Sequence, residues 1–242
     1  MTKIAPHPTL NDYYENDDTR QEAVDSLFDD TAGYYDRVIA TMSFGTGSRY
    51  RKDALQRAGV TKDTSVLDIG SGTGAVTLIA QELSDQPVIA LDPSRGMLDE
   101  GVTRGVKSPV QGLGEQLPFA TDSFDFLTMG YALRHVPDLS ATFKEYHRVL
   151  KPGGKLLILE ISRPKNRLGY HLLKFYMRHV VPNISALISG KARVRRLMQY
   201  YWDTIENCVP PENIVAAIAS AGFSNPDRHI VLGMFSEYQG MK

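Results

Sequence analysis

Val66–Thr77 reads VLDIGSGTGAVT, and this stretch decides the fold. An apolar run of strand formers, Ser65–Ile69 with the acid Asp68 inside it, leads into glycines at 70, 72 and 74. Helix-competent residues follow, and the spacing predicts a helix over 75–82. Strand, glycine turn, helix is the opening unit of a parallel α/β sheet.

The same alternation continues outward along the chain. Val88–Leu91 reads as a second strand closed by Asp92-Pro93, and Ser94 is suited to cap a helix running to Gly101. Phe124–Met129 is a further apolar run after the loop 117–123. Thr142–Leu150 reads as a helix that KPGG, residues 151–154, ends sharply. Lys155–Glu160 is another buried strand. Pro211 opens a helix that Gly222 stops, and two final strands are expected near Ser224–Leu232 and Gly233–Tyr238. Strands that are continuously apolar predict a sheet covered on both faces. The expectation is therefore an α/β fold: a Rossmann-like, doubly wound, mostly parallel seven-stranded sheet with helices on both faces and a helical cap. Residues 56–164 and 206–242 form its core. Residues 1–55 form an N-terminal helical segment closing over a ligand, and residues 165–205 interrupt the pattern as the inserted cap.

Composition bounds the function. A chain of 242 residues is long enough for one well-cored domain. A formal charge of -1 speaks against a nucleic-acid-coated protein. The single cysteine, Cys208, cannot form an internal disulfide, and no Cys/His spacing suggests a metal site. The N-terminus lacks the basic start and apolar run of a signal peptide, so a cytoplasmic location is expected. Charge is nonetheless uneven. Residues 11–30 hold eight acids and one base, whereas residues 163–196 hold nine Lys/Arg and no acid. The basic run is interleaved with Leu172, Phe175, Tyr176 and Val180. Such a pattern is either a solvated face, a lid over an apolar substrate or a peripheral contact with an anionic membrane.

Ligands of such sheets sit beyond the carboxyl ends of the strands. GSGTGA satisfies the dinucleotide fingerprint, and Asp92 stands where a ribose-binding acid would, so glycines alone do not select a ligand. Asp68 does. A pyrophosphate beside a partly buried carboxylate is repelled, whereas the sulphonium and ammonium of S-adenosylmethionine are attracted. Asp92 would then accept from the ribose hydroxyls. The plainer reading has both acids capping the following helices.

VLDIGSGTG, VIALDPSRGML, GEQLPFATDSFDFLTM and RVLKPGGKLLILE stand in the order seen in class I methyltransferases. With YYDRVIATMSFG, YALRHVPDLSATFKEYHRVLKPGG, EISRP and AGFSNPDRHIVLGMFSEYQG added, the chain resembles the ubiquinone/menaquinone biosynthesis C-methyltransferases over residues 28–240. The resemblance implies S-adenosylmethionine as cofactor, held by Tyr35, Asp68, Gly70, Thr73, Gly74, Asp92, Pro93, Met97, Leu113, Gly114 and Gly130. Four positions depart from the family pattern. Leu113-Gly114 replaces a polar residue and alanine, Gly130 replaces a serine, and His135 replaces the asparagine after Arg134.

For a hydroxylated aromatic acceptor, loss of the phenolic proton makes the neighbouring ring carbon nucleophilic, and phenols titrate near pH 10. Arg134 is expected to stabilise the phenolate electrostatically, because guanidinium is a poor proton acceptor. His135 is expected as base or relay. Tyr131, Tyr176 and Tyr201 are expected at the acceptor, Tyr34, Tyr35 and Asp36 over the cofactor, and Arg49 or Arg51 at the methionine carboxylate. The reading is C-methylation of a demethylated quinol, a small-molecule partner, with a homodimer left open. The alternatives are O- or N-methylation of a specialised metabolite, a binding module that transfers nothing, and a nicotinamide dehydrogenase.

Overall fold

The computed structural model of the chain describes residues 3–29, 33, 46–189 and 192–242. Tyr34, Tyr35 and Asp36 lie outside the described residues. Two helices precede the sheet, α1 (Asp17–Asp29) and α2 (Gly47–Ala58). The core then runs β1 (Val66–Ile69), α3 (Thr77–Leu83), β2 (Val88–Asp92), α4 (Arg95–Thr103), β3 (Pro109–Gln111), β4 (Phe124–Gly130), a 3-10 turn (Leu133–His135), α5 (Leu139–Val149) and β5 (Leu150–Ile161). The cap comprises α6 (Arg167–Phe175), a π-helical turn (Tyr176–Val180), α7 (Val181–Ser189) and α8 (Ala192–Asn207). The chain returns to the core through α9 (Pro211–Ser220), β6 (Ser224–Val231) and β7 (Phe235–Met241).

The seven strands stand in the order β3-β2-β1-β4-β5-β7-β6. All pairs through β5 are parallel, and β7 is antiparallel to both its neighbours. Every residue of β1 is buried, as its uninterrupted apolar character requires of a central strand. The order reverses between β1 and β4, so the glycine turn opens at the sheet's switch point, where such folds place ligands.

One face of the sheet is covered by α5 and α9. Along α5, Leu139, Thr142, Phe143, Tyr146 and Val149 are buried at helical spacing. Asp138 caps that helix by accepting from Ser140 N–H at 2.9 Å, and also accepts from Ile4 N–H at 2.9 Å. The other face carries Ala54, Leu55 and Ala58 of α2 and Ile79 and Ala80 of α3, packed on Phe126, Leu157 and Leu159. A third apolar cluster joins α1 to the cap through Val24, Leu173, Met177, Leu197 and Trp202.

Two expectations need correction. KPGG does not separate helix from strand: α5 ends at Val149, and β5 has already begun at Leu150, which pairs with Phe124 before the register shifts. The third strand, Pro109–Gln111, is one that periodicity did not locate. It is three residues long, mostly exposed, and opens on a proline, as an edge strand can.

Candidate active site

Beyond the carboxyl ends of β1, β2 and β4 lie two pockets that share Gly70, Gly72, Gly130 and Tyr131. The inner cleft runs past Asp92, Pro93 and Met97 to Leu113, Gly114 and His135, with Val24, Asp25 and Phe28 of α1 on its outer wall. The second pocket, a cavity of about 590 Å³, extends from Asp68 and the glycine turn under the cap.

Glycine is required at the joint. Gly70 has φ +62, and a Cβ there would stand 2.5 Å from Ala132 Cβ. Gly72 has φ +55, and its N–H donates to Asp92 Oδ2 at 2.7 Å. Asp92 Oδ1 accepts from Ser94 N–H at 2.9 Å. The acid therefore braces the turn and the residue that caps α4. Each oxygen keeps lone-pair capacity for another donor. Burial raises its pKa to about 6, even though the Gly72 and Ser94 amides act against that. Ser94 in turn caps α4 through Met97 N–H and donates to Asp29, whose Oδ1 also takes Gly96 N–H at 3.1 Å. These contacts seat the end of α1 on the rim of the cleft.

Asp68 is fully buried. Its Oδ2 accepts from Thr77 Oγ1 at 2.6 Å, and its Oδ1 has no hydrogen-bond partner among the described residues. Burial raises its pKa to about 7 against the opposing Thr77 hydrogen bonds, with Asp92 adding to the rise. A buried carboxylate at the wall of a pocket favours a cationic donor.

A model of the ubiE/COQ5 methyltransferase family matches residues 16–242. The chain belongs to that family. It is 33% identical over 231 residues to the ubiquinone/menaquinone biosynthesis C-methyltransferase UbiE of Geotalea daltonii, covering 91% of this chain and 97% of that one. It is 34% identical over 192 residues to a demethylmenaquinone methyltransferase of Geobacillus stearothermophilus, covering 76% and 80%. Among solved structures, a SAM-dependent methyltransferase of Thermotoga maritima shares the fold, with TM-score 0.64, 21% identity, and 90% and 99% of the two chains covered. The chain is an S-adenosylmethionine-dependent methyltransferase.

The residues fit that cofactor. Asp68 Oδ1 suits the ammonium, and the two Asp92 oxygens suit the ribose hydroxyls. The dehydrogenase reading is set aside with the family.

The family departures have local causes. At Gly130 a Cβ would stand 2.8 Å from Val76 Cγ2, so the valine methyl occupies the space a serine side chain would need. At Gly114 a Cβ would stand 3.0 Å from the Tyr146 hydroxyl and 3.1 Å from Ile69 Cγ2, both buried, so the backbone there packs closely on the core.

Several expected site residues are placed elsewhere. Gly74 lines neither pocket. Its φ is +84, and a Cβ would strike Val106 Cγ2 at 2.4 Å, so it serves close packing of the turn. Thr73 does line the larger pocket, but its hydroxyl accepts from Arg104 Nη1 at 2.9 Å. Arg134 is the largest correction. Its guanidinium lines neither pocket and is fully buried. It donates to Glu160 (2.8 Å), Thr204 Oγ1 (2.6 Å), and the carbonyls of Tyr201 (3.2 Å) and Tyr131 (3.2 Å). Burial alone would lower its pKa, but the Glu160 charge holds it above the ordinary value. The side chain that was to meet the acceptor instead ties β4, β5 and α8 together.

His135 lines the inner cleft, not the pocket under the cap. Its Nδ1 lies 3.1 Å from the Tyr200 hydroxyl, and its ring packs edge-on to Phe28. Burial, reinforced by Arg134 and Arg20, holds its pKa well below 6.5. A neutral imidazole with so depressed a pKa is a weak proton acceptor, which speaks against its expected role as base.

Tyr131, Tyr176 and Tyr201 all line the larger pocket. The neighbours of Tyr201 point elsewhere, Tyr200 to His135 and Trp202 through Nε1 to Glu206 at 3.0 Å. The sequence reading missed Tyr50, Met177 and Phe235 in the same walls. These come from α2, the cap and β7, and no local pattern links them.

Proposed function

We propose that this methyltransferase alkylates a ring carbon of a demethylated, tail-bearing quinol. The observation that carries the reading is the cavity of about 590 Å³ between the glycine turn and the cap, walled by Ile161, Leu173, Met177, Met234 and Phe235. The end at Asp68 and the glycine turn would take the amino-acid end of the cofactor, and the walls toward the cap favour an apolar body over a hydrophilic metabolite. The C-methyltransferase relatives act in ubiquinone/menaquinone biosynthesis by name, which supports the same acceptor class.

When bound, S-adenosylmethionine supplies an electrophilic methyl on a cationic sulphur. Asp68 would hold its ammonium and Asp92 its ribose, with the transfer line crossing Gly70, Gly130 and Tyr131, where the two pockets meet. The chain's remaining task is to stabilise the acceptor as a phenolate whose proton has passed to water. As the ring carbon takes the methyl, the bond to sulphur breaks, leaving a neutral thioether, and the displaced ring proton returns through water to the phenolate oxygen.

Burial raises the pKa values of Tyr131 and Tyr201. They stay neutral and donate hydrogen bonds rather than take protons. Two cations line the pocket among the described residues, Arg49 and Arg51, and the one we assign to the acceptor is Arg51. It lies 5.3 Å from the Tyr131 ring centroid, and its buried Nε has no hydrogen-bond partner among the described residues. It takes the electrostatic role that Arg134 cannot reach.

Incubation with methyl-labelled cofactor and a demethylated menaquinol should place the label on a ring carbon. Label on oxygen would overturn the reading in favour of O-methylation. Arg51→Met should lower kcat about tenfold with little change in the KM for cofactor, a loss in the direction expected for a missing electrostatic donor. A raised cofactor KM at unchanged kcat would instead assign Arg51 to the methionine carboxylate.

A further inference from the structure

The helix running from α6 through the π turn into α7 buries one side in the cap. On its other side it presents Leu168, Leu172, Phe175, Ile184 and Leu187 to solvent, at 72%, 61%, 62%, 41% and 84% exposure. Leu168, Leu172 and Phe175 recur at i, i+4 and i+7, one face of an α-helix. The stripe continues to His179, whose ring lies 5.6 Å from that of Phe175, and then steps five residues to Ile184, across the π turn. A soluble monomer gains nothing from such a row, and contiguous exposed apolar surface marks an interaction site.

Charge says what covers it. Residues 163–196 hold nine Lys/Arg and no acid; Arg163, Lys165 and Arg167, at or just before the start of the helix that carries the stripe, are exposed, whereas Arg178 pairs with Asp203 and Glu206 of α8. An apolar row bordered by cations fits the interface of an anionic bilayer, with the side chains among the acyl chains and the cations at the headgroups. No helix among the described residues is long and apolar enough to cross a membrane, so the segment would lie on one.

The position of the stripe connects it to the site. The same helix supplies Leu173, Tyr176 and Met177 to the acceptor pocket. Across the pocket the β6–β7 turn contributes Leu232, 83% exposed and held at φ +52. We infer that the α6–α7 face docks on an anionic lipid surface and presents the pocket between Leu173 and Leu232 to an acceptor still anchored by its tail. This rests on the proposed acceptor only for what enters the pocket; the docking itself does not need it.

Flotation of the full chain with phosphatidylcholine vesicles, with and without phosphatidylglycerol as the anionic lipid, tests it. The wild type should float with the anionic vesicles and be released by salt. The double variant Leu172→Glu, Phe175→Glu changes exposed side chains that line neither pocket. It should bind at least ~10-fold more weakly while methylating a detergent-dispersed short-tailed quinol at the wild-type rate. Absence of wild-type flotation, or equal flotation of the variant, overturns the inference. So does a concentration-dependent dimer that the variant dissolves without any vesicle binding, which would make a second copy the occupant. Flotation without methylation of any quinol would sink the acceptor reading and leave the docking face standing.

Discussion

Arg134→Ala should lower the unfolding free energy by about 3–5 kcal/mol, the usual cost of stripping one partner from a buried ion pair. The guanidinium and Glu160 are both buried, 0% and 3% exposed at the side chain, and meet at 2.8 Å. Removing the cation leaves a carboxylate in the interior. It also leaves Thr204 Oγ1 and the carbonyls of Tyr131 and Tyr201 without that donor. Glu160 keeps a second task, accepting from Leu133 N–H at 2.9 Å, so the turn that carries residue 134 loosens too. Tyr131 and Tyr201 are acceptor-pocket walls, and turnover should fall alongside stability. Arg134→Ala combined with Glu160→Gln should regain a measurable part of the loss, because glutamine still accepts from Leu133 without carrying an uncompensated charge. Thermal or denaturant melts of the two variants decide it. A single variant that melts like the wild type yet has lost turnover would restore Arg134 to the acceptor and refute the clamp.

What the sequence could and could not show follows from where each signal lives. The acid-before-glycine arrangement at Asp68–Gly74 is local. A continuously apolar strand, a turn needing positive φ and a helix start are written within twelve residues, so the central βα unit and the donor side of the site were legible. β3 was not, because Pro109–Gln111 becomes a strand only by pairing with β2. The position of Arg134 past β4 was legible, but its direction was not. Its partners lie 26 residues on at Glu160 and 70 residues on at Thr204, and a guanidinium beside a buried carboxylate turns inward whatever its sequence neighbours suggest. The acceptor walls share that difficulty: Tyr50, Met177 and Phe235 meet only through the packing of three distant elements. The basic, apolar-interleaved run was visible as composition. Which of its residues face outward needed the π turn, whose extra residue breaks the simple helical count.

Affinity for S-adenosylmethionine should rise about fiftyfold from pH 5 to pH 7, where proton displacement from a carboxyl titrating near 7 sets the slope. The group is Asp68, raised to about 7 chiefly by burial. In the ligand-free protein at pH 5 it is protonated, and a cationic ammonium can engage Oδ1 only after that proton leaves. Binding in this window therefore releases a proton, and the ligand's own amine stays charged through most of it. Asp92, raised to about 6, adds to the slope in the same direction wherever its ionised form is the better acceptor for ribose hydroxyls. The stability of the free protein runs the opposite way. A carboxyl whose folded pKa is raised binds more protons folded than unfolded between about 4 and 7, so its contribution to stability declines as pH rises through that window and is constant above it. The melting-temperature gain on adding cofactor should consequently be small at pH 5 and large at pH 7. Asp68→Asn removes the titration: it should stabilise the free protein at pH 7, weaken cofactor binding there, and flatten the pH profile to the shallower slope left by Asp92. Calorimetry in two buffers of different ionisation enthalpy reads the released proton directly. A wild-type profile that is flat from pH 5 to 7, or a slope that survives unchanged in Asp68→Asn, would mean that the orphaned oxygen does not face the cation and that the donor is held by something else.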